Sequence, residues 1–123
     1  MKKITFIGLG VMGFPMAGHL SKEGYNVTVY NRSEEKSKLW IKNHIGTYST
    51  SIKEAVSDSD IVFSCVGNDT DLREITLGTD KAFSSMKPGS VFIDHTTTSS
   101  DIAVELSEKA KELKIRFLDA PVS

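Results

Sequence analysis

The feature that most constrains this chain is the stretch Phe6-Ile7-Gly8-Leu9-Gly10-Val11-Met12-Gly13-Phe14-Pro15-Met16-Ala17-Gly18-His19-Leu20, preceded by Met-Lys-Lys-Ile-Thr. Lys3 to Ile7 reads as a short β-strand, and Gly8 to Gly13 spells G-x-G-x-x-G directly after it. Two basic residues ahead of an apolar run also open a secretory signal. Here, however, Pro15, His19, Lys22 and Glu23 interrupt where a small-residue cleavage site should stand. The alternative is a strand turning into a helix around a bound phosphate. That reading requires a helix after the glycines and a second strand ending in a ribose-reading residue about twenty positions later.

Both requirements are met. Met12, Met16, Ala17 and Leu20 recur at helical spacing, and Lys22-Glu23-Gly24 closes the segment with a glycine suited to a helix end. Tyr25 to Tyr30 is β-branched and aromatic, a strand that stops at Asn31-Arg32-Ser33. Ser33 with Glu34 and Glu35 then offers an N-cap and an acidic first turn for a helix to about Asn43. The alternation continues with a short piece at Gly46 to Tyr48, a helix through Ile52 to Val56 and a buried strand at Asp60 to Val66. A helical stretch from Leu72 to Leu77 and a turn at Lys87 to Ser90 lead to a strand at Val91 to Asp94. A helix at Ser99 to Leu113 and a sixth strand at Ile115 to Ala120 follow. Strands alternating with helices across short joints predict an α/β fold, a doubly wound, mostly parallel six-stranded sheet with helices on both faces. Trp40, Leu39 and Met86 read as core, and so does Cys65 at the end of its apolar run.

The 123 residues fit one domain, small for an enzyme with separate cofactor and substrate domains. Lys and Arg number 15 against 16 Asp and Glu, spread along the chain, so there is no basic stripe for nucleic acid or anionic lipid. No run reaches the roughly eighteen apolar residues of a membrane span. One cysteine excludes an internal disulfide and fits a reducing cytoplasm. No His, Cys or acid pair has metal-ligand spacing.

Within the motif, Gly8 serves the tight turn, Gly10 lets the backbone approach a pyrophosphate and Gly13 lets helix and strand pack closely. The pyrophosphate would rest on free amides around Val11 and Met12. A bulky side chain at Gly10 should therefore abolish dinucleotide binding and leave the fold largely intact. The second strand ends in Asn31-Arg32, where an NAD-specific site usually carries an acid for the ribose hydroxyls. Without that acid a 2′-phosphate is not repelled. Arg32 can pair with it, helped by Asn31, Ser33 and Lys36, which predicts NADP in preference to NAD. One hydrogen bond to a charged group is worth about 1.5–3 kcal/mol, or about ten- to a hundredfold in preference. Val66-Gly67-Asn68-Asp69 forms a polar turn at the same sheet edge, beneath the cofactor's adenine-side ribose and middle. Asp94-His95-Thr96-Thr97-Thr98-Ser99 places hydroxyls at the nicotinamide half, with Ser99 or Thr98 capping the following helix. His95 reads as structural.

These residues together resemble the β-hydroxyacid dehydrogenases, the group of 3-hydroxyisobutyrate dehydrogenase and tartronate semialdehyde reductase. The resemblance covers the whole chain. Phe6 to Leu20, with Gly8, Leu9, Gly10, Val11, Met12 and Gly13 and on through Met16 and Ala17, looks like the family's signature. Asp94-His95-Thr96-Thr97 is similar to its Asp-x-Ser-Thr turn, with threonine in the serine position. Asp119-Ala120-Pro121-Val122-Ser123 resembles the opening of its substrate-loop motif, which normally continues with two glycines. The resemblance implies a Rossmann fold and NAD(P)-dependent interconversion of a small 3-hydroxy acid and its semialdehyde. It places Thr96 at the nicotinamide end and Ser123 at the substrate. It also implies that the acid/base lysine belongs to an all-helical second domain, absent from residues 1–123, that completes the cleft and forms most of a homo-oligomer contact. On this reading the chain binds cofactor, contains no catalytic residue of its own and does not turn over alone. Two alternatives stand beside it: a non-catalytic NADP-binding module, and a relative acting on a phosphorylated sugar acid.

Overall fold

The computed structural model describes residues 2–121. Its elements are β1 (Lys3–Ile7), α1 (Gly13–Lys22), β2 (Asn26–Tyr30), α2 (Glu34–Asn43), β3 (Thr47–Tyr48), α3 (Ile52–Val56), β4 (Ile61–Ser64), α4 (Asp69–Thr76), α5 (Ala82–Ser85), β5 (Val91–Asp94), α6 (Ser100–Glu112) and β6 (Arg116–Asp119). The strands form one six-stranded sheet in the order β3-β2-β1-β4-β5-β6. Every pairing is parallel, with Phe6 of β1 opposite Val29 of β2 on one side and Phe63 of β4 on the other. The doubly wound sheet expected from the alternation, and the Rossmann fold implied by the resemblance, are therefore observed.

Successive side chains of a strand point to opposite faces, so a central strand covered on both sides must be apolar throughout. β1 meets that demand from Ile4 to Ile7, with Thr5 as the polar exception. The Thr5 hydroxyl is satisfied by the Ala55 carbonyl and by Ser59 Oγ. Phe6 enters the core beneath α1 and α2, with Leu9, Ala17, Val27, Val29 and Trp40. Ile7 enters the larger core on the opposite face, with Val62, Phe92, Leu72, Phe83, Ile102 and Leu106.

Chain order reverses between β1 and β4, since β2 and β3 lie to one side of β1 and β4 to β6 to the other. This switch point opens a crevice at the carboxyl ends of the two strands.

Several expectations are corrected. Leu39 is half-exposed on the outer face of α2, while Trp40 and Met86 are buried as expected. Cys65 is only partly buried. Met12 stands outside α1 and is substantially exposed, because the helix begins at Gly13. Ser33 occupies the N-cap of α2 without a side-chain capping bond. The fourth helix starts at Asp69 rather than Leu72, because the Asn68 carboxamide accepts from the Asp71 amide and caps it early. The single turn α5 has too little periodicity to be read from sequence.

Candidate functional site

The turn after β1 is fixed from three directions. The Gly8 amide donates to the Tyr30 carbonyl at 2.9 Å, and the Leu9 amide donates to Asn31 Oδ1 at 2.9 Å, tying the turn to the end of β2. The Leu9 side chain is buried and anchors the turn from below. Gly8 has φ +103°, and a Cβ there would overlap the Cys65 carbonyl oxygen. A Cβ on Gly13 would overlap the Gly8 carbonyl oxygen and stand 3.1 Å from Phe6 Cε1. Gly10 differs from both, because nothing lies within 4 Å of the Cβ position. Two glycines thus serve packing, and the third faces open space.

Among the described residues, none accepts a hydrogen bond from the amides of Gly10, Val11 or Met12. These are the free donors that a helix N-terminus presents to an anion. Gly10, Val11 and Met12 are all exposed residues, and Val11, at 93%, contributes little to packing. The turn borders a cleft of about 790 Å³, a size common for small-molecule sites. Gly8 to Gly13 line it on one side, Tyr30 to Ser33 and Cys65 to Gly67 on others, with Ile52 and Ile75 as apolar wall. A pyrophosphate on the open amides with an adenosine against the Ile52 and Ile75 wall fits this donor set. These residues can therefore hold a dinucleotide.

Of the residues predicted from sequence, Gly8 to Gly13, Asn31, Arg32, Ser33, Val66 and Gly67 all line this cleft. Arg32 is largely exposed, with Nη2 3.0 Å from Asp71 Oδ1. Asn31 is committed to the fold, since Oδ1 accepts from Leu9 and Nδ2 donates to the Ser33 carbonyl at 3.1 Å. Its role is to set the turn. Lys36 instead borders a separate groove on α2, with Ser33, Glu35, Lys38, Leu39 and Lys42. Asn68 is occupied in capping α4 and does not line the cleft.

Thr96 is buried behind the cleft. Its hydroxyl accepts from the Val66 amide at 2.9 Å, and its own amide donates to Asp94 Oδ1 at 3.0 Å. Both groups expected to face a nicotinamide are thus engaged with protein, and Thr96 positions the Val66 loop. Asp94 is wholly buried at the end of β5, and Ser64 Oγ donates to it at 2.7 Å. Burial raises its pKa above the ordinary carboxylate value, and nearby Asp119 adds to the rise, while the Ser64 and Thr96 hydrogen bonds oppose it. His95 Nδ1 lies 2.7 Å from the Ala120 carbonyl, and its ring stacks on Phe63 with centroids 5.8 Å apart. Ser99 caps α6 through the Ile102 amide and also binds Asp69. Ser123 lies outside the described residues.

Sequence reasoning missed the wall contributed by α4. Asp71, Glu74 and Ile75 all line the cleft, as does Lys81 before α5. The available signal was Asn68 followed three residues later by Asp71, an N-cap pattern that places the first turn of α4 beside the glycine turn. No helix among the described residues is long and apolar enough to cross a membrane. No group of three or more His, Cys, Asp or Glu among them could hold a metal ion.

Comparison with known proteins agrees with this geometry. The family model for the NAD binding domain of 6-phosphogluconate dehydrogenase matches residues 3–123. An uncharacterized oxidoreductase of Shewanella frigidimarina is 51% identical over all 123 residues, which span 42% of that protein. A solved structure of Mycobacterium tuberculosis 3-hydroxyisobutyrate dehydrogenase with L-serine superposes with a TM-score of 0.90 at 31% identity. It covers 100% of this chain and 41% of its own. An imine reductase from Myxococcus stipitatus in complex with NADP+ gives a TM-score of 0.86 at 26% identity over 95% of this chain and 39% of its own. The chain thus spans less than half the length of each of these proteins. With its parallel sheet, glycine turn and near-complete family match, the chain belongs to the family of the NAD binding domain of 6-phosphogluconate dehydrogenase, and it is similar over its length to the corresponding part of a 3-hydroxyisobutyrate dehydrogenase.

Proposed function

We propose that this chain is the cofactor half of an oxidoreductase that moves hydride between NADP(H) and a small 3-hydroxy acid or its semialdehyde. The observation that carries the cofactor reading is the pairing of two features on one cleft. Unsatisfied amides lie at Gly10 to Met12, and Arg32, rather than an acid, follows the end of β2. The amides would take the pyrophosphate, and Arg32 the 2′-phosphate, with Ser33 beside it. The 26% identical imine reductase that carries NADP+ supports the capacity of this fold for that cofactor.

When bound, the nicotinamide supplies the hydride chemistry, and the domain supplies orientation and electrostatics. Leu9 and Asn31 hold the turn rigid, Gly10 leaves it open, and Thr96 with Asp94 fixes the loop at Val66. In this reading Ser123 contributes to substrate binding. The acid/base lysine and the far wall of the pocket belong to a helical second domain, which also forms a homo-oligomer. A reducing cytoplasm suits the single cysteine.

Calorimetric titration of NADPH and NADH into the wild type and Arg32→Ala tests the cofactor assignment. The wild type should prefer NADPH, and the variant should lose about ten- to a hundredfold of that preference. An unchanged preference would discard the role given to Arg32. Assay of the full-length protein against small 3-hydroxy acids tests the reaction, and no NADP-linked turnover of any of them would remove the substrate class.

A further inference from the structure

We infer that Asp71 is a specificity-determining residue: it is the counter-ion that competes with a cofactor 2′-phosphate for Arg32 and so sets how strongly the site prefers NADP. The inference rests on the cofactor reading above and adds a residue that the glycine motif and the Asn31-Arg32 pair do not reveal.

Asp71 is better placed than Arg32 to hold its position. Its amide donates to Asn68 Oδ1 at 2.9 Å, which pins the first turn of α4. Its carboxylate rests against the backbone at Gly67, with Oδ2 2.8 Å from where a Cβ on that glycine would stand. Gly67 therefore provides the space that the carboxylate fills. The Asp71 side chain is 27% exposed against 77% for Arg32. The acid is seated in the wall of the cleft, and the flexible guanidinium reaches to it across 39 positions of sequence with Nη2 3.0 Å from Oδ1. Glu74, one turn further along α4, lines the same cleft and adds negative charge to that wall.

An arginine fork can serve a carboxylate or a phosphate with the same N–H donors. A 2′-phosphate arriving at Arg32 must therefore displace Asp71 or share the guanidinium with it, and the two anions repel. A ribose with a free 2′-hydroxyl carries no such charge and leaves the pair intact. Asp71 thus lowers affinity for the phosphorylated cofactor selectively, and the preference is the difference between Arg32's attraction to phosphate and its attraction to Asp71.

The test uses adenosine 2′,5′-bisphosphate and 5′-AMP, which differ only in the 2′-phosphate, titrated calorimetrically into full-length protein. Wild type, Asp71→Asn, Arg32→Ala and the double variant are compared. Asp71→Asn should tighten the bisphosphate about two- to fivefold, the scale of an exposed ion pair, and leave 5′-AMP within about twofold. In the Arg32→Ala background most of that gain should disappear. If Arg32→Ala lowers the bisphosphate preference while Asp71→Asn leaves it unchanged or weakens it, the inference is overturned and the cofactor reading stands. If neither substitution changes the preference, the role of Arg32 fails and the inference with it. A gain that persists in full without Arg32 also overturns the counter-ion role, because the acid would then act by direct repulsion. Asp71→Ser, checked by far-UV circular dichroism, provides the same comparison should the asparagine variant disturb α4.

Discussion

The glycine turn should separate folding from binding within six residues. A Cβ on Gly13 would overlap the Gly8 carbonyl oxygen, stand 3.0 Å from the carbonyl carbon and 3.1 Å from Phe6 Cε1. The obstructing atoms are the backbone of the turn and a fully buried ring. Gly8 cannot move away easily, because its amide is bonded to Tyr30 and its own Cβ direction is closed by Cys65. Overpacking of well-packed sites costs about 1–3 kcal/mol, and backbone overlap belongs at or above the upper end of that range. Replacing glycine by alanine in a helix returns at most about 1 kcal/mol. Gly13→Ala should therefore destabilise the domain by about 2–3 kcal/mol net. Gly10→Ala meets no atom within 4 Å and should stay within about 0.5 kcal/mol of the wild type. Urea unfolding followed by circular dichroism gives both values from the shift in midpoint at constant slope. Gly10→Val should unfold like the wild type but bind no dinucleotide. Equal stability of Gly13→Ala and Gly10→Ala would refute the packing argument.

Three further outcomes follow from the carboxyl edge of the sheet and from α4. Thr96→Val leaves the Val66 amide without its acceptor and should cost about 1–3 kcal/mol, whereas Thr96→Ser keeps the hydroxyl and most of that stability in the same urea assay. Asp94 has a folded-state pKa raised by burial, so its contribution to stability is fully present below the unfolded value and is lost as pH rises through the folded one. The stability of wild type relative to Asp94→Asn should accordingly increase as pH falls from 7 toward 4, and a difference that stays flat would show that the carboxylate is not penalised by burial. Arg73 Nη2 lies 2.8 Å from Glu105 Oε1 and joins α4 to α6 at the surface. Glu105→Ala should lower the unfolding midpoint slightly at low ionic strength, and the loss should vanish in molar salt.

The fold was legible because each physical requirement leaves a local mark. Ile4 to Ile7 can be so uniformly buried only in a central strand covered on both faces, and the glycines after it mark a turn in which two positions, Gly8 and Gly13, have no room for a side chain. Arg32 was legible for a different reason: it stands next to the end of a strand whose length is readable. Thr96 was placed at the right edge, but its hydroxyl direction depends on the Val66 amide thirty positions away, which no local pattern encodes. Asp71 escaped notice because its partner is 39 residues distant and its polar neighbours Asn68 to Thr70 resemble a loop. Leu39 was misassigned because Trp40 beside it takes the inward face of α2. One residue of helical rotation, about 100°, turns a core position outward.

The central claim is that a dinucleotide seats its pyrophosphate on the turn between β1 and α1, with its adenosine end toward Arg32. Nuclear magnetic resonance of the nitrogen-15-labelled chain titrated with NADPH tests this residue by residue. The largest and earliest amide shifts should fall on Gly10, Val11 and Met12, with a second group at Arg32, Ser33 and Gly67. Shifts centred elsewhere, such as the separate groove lined by Lys53, Phe83 and Lys109, or none at millimolar NADPH, would contradict the assignment.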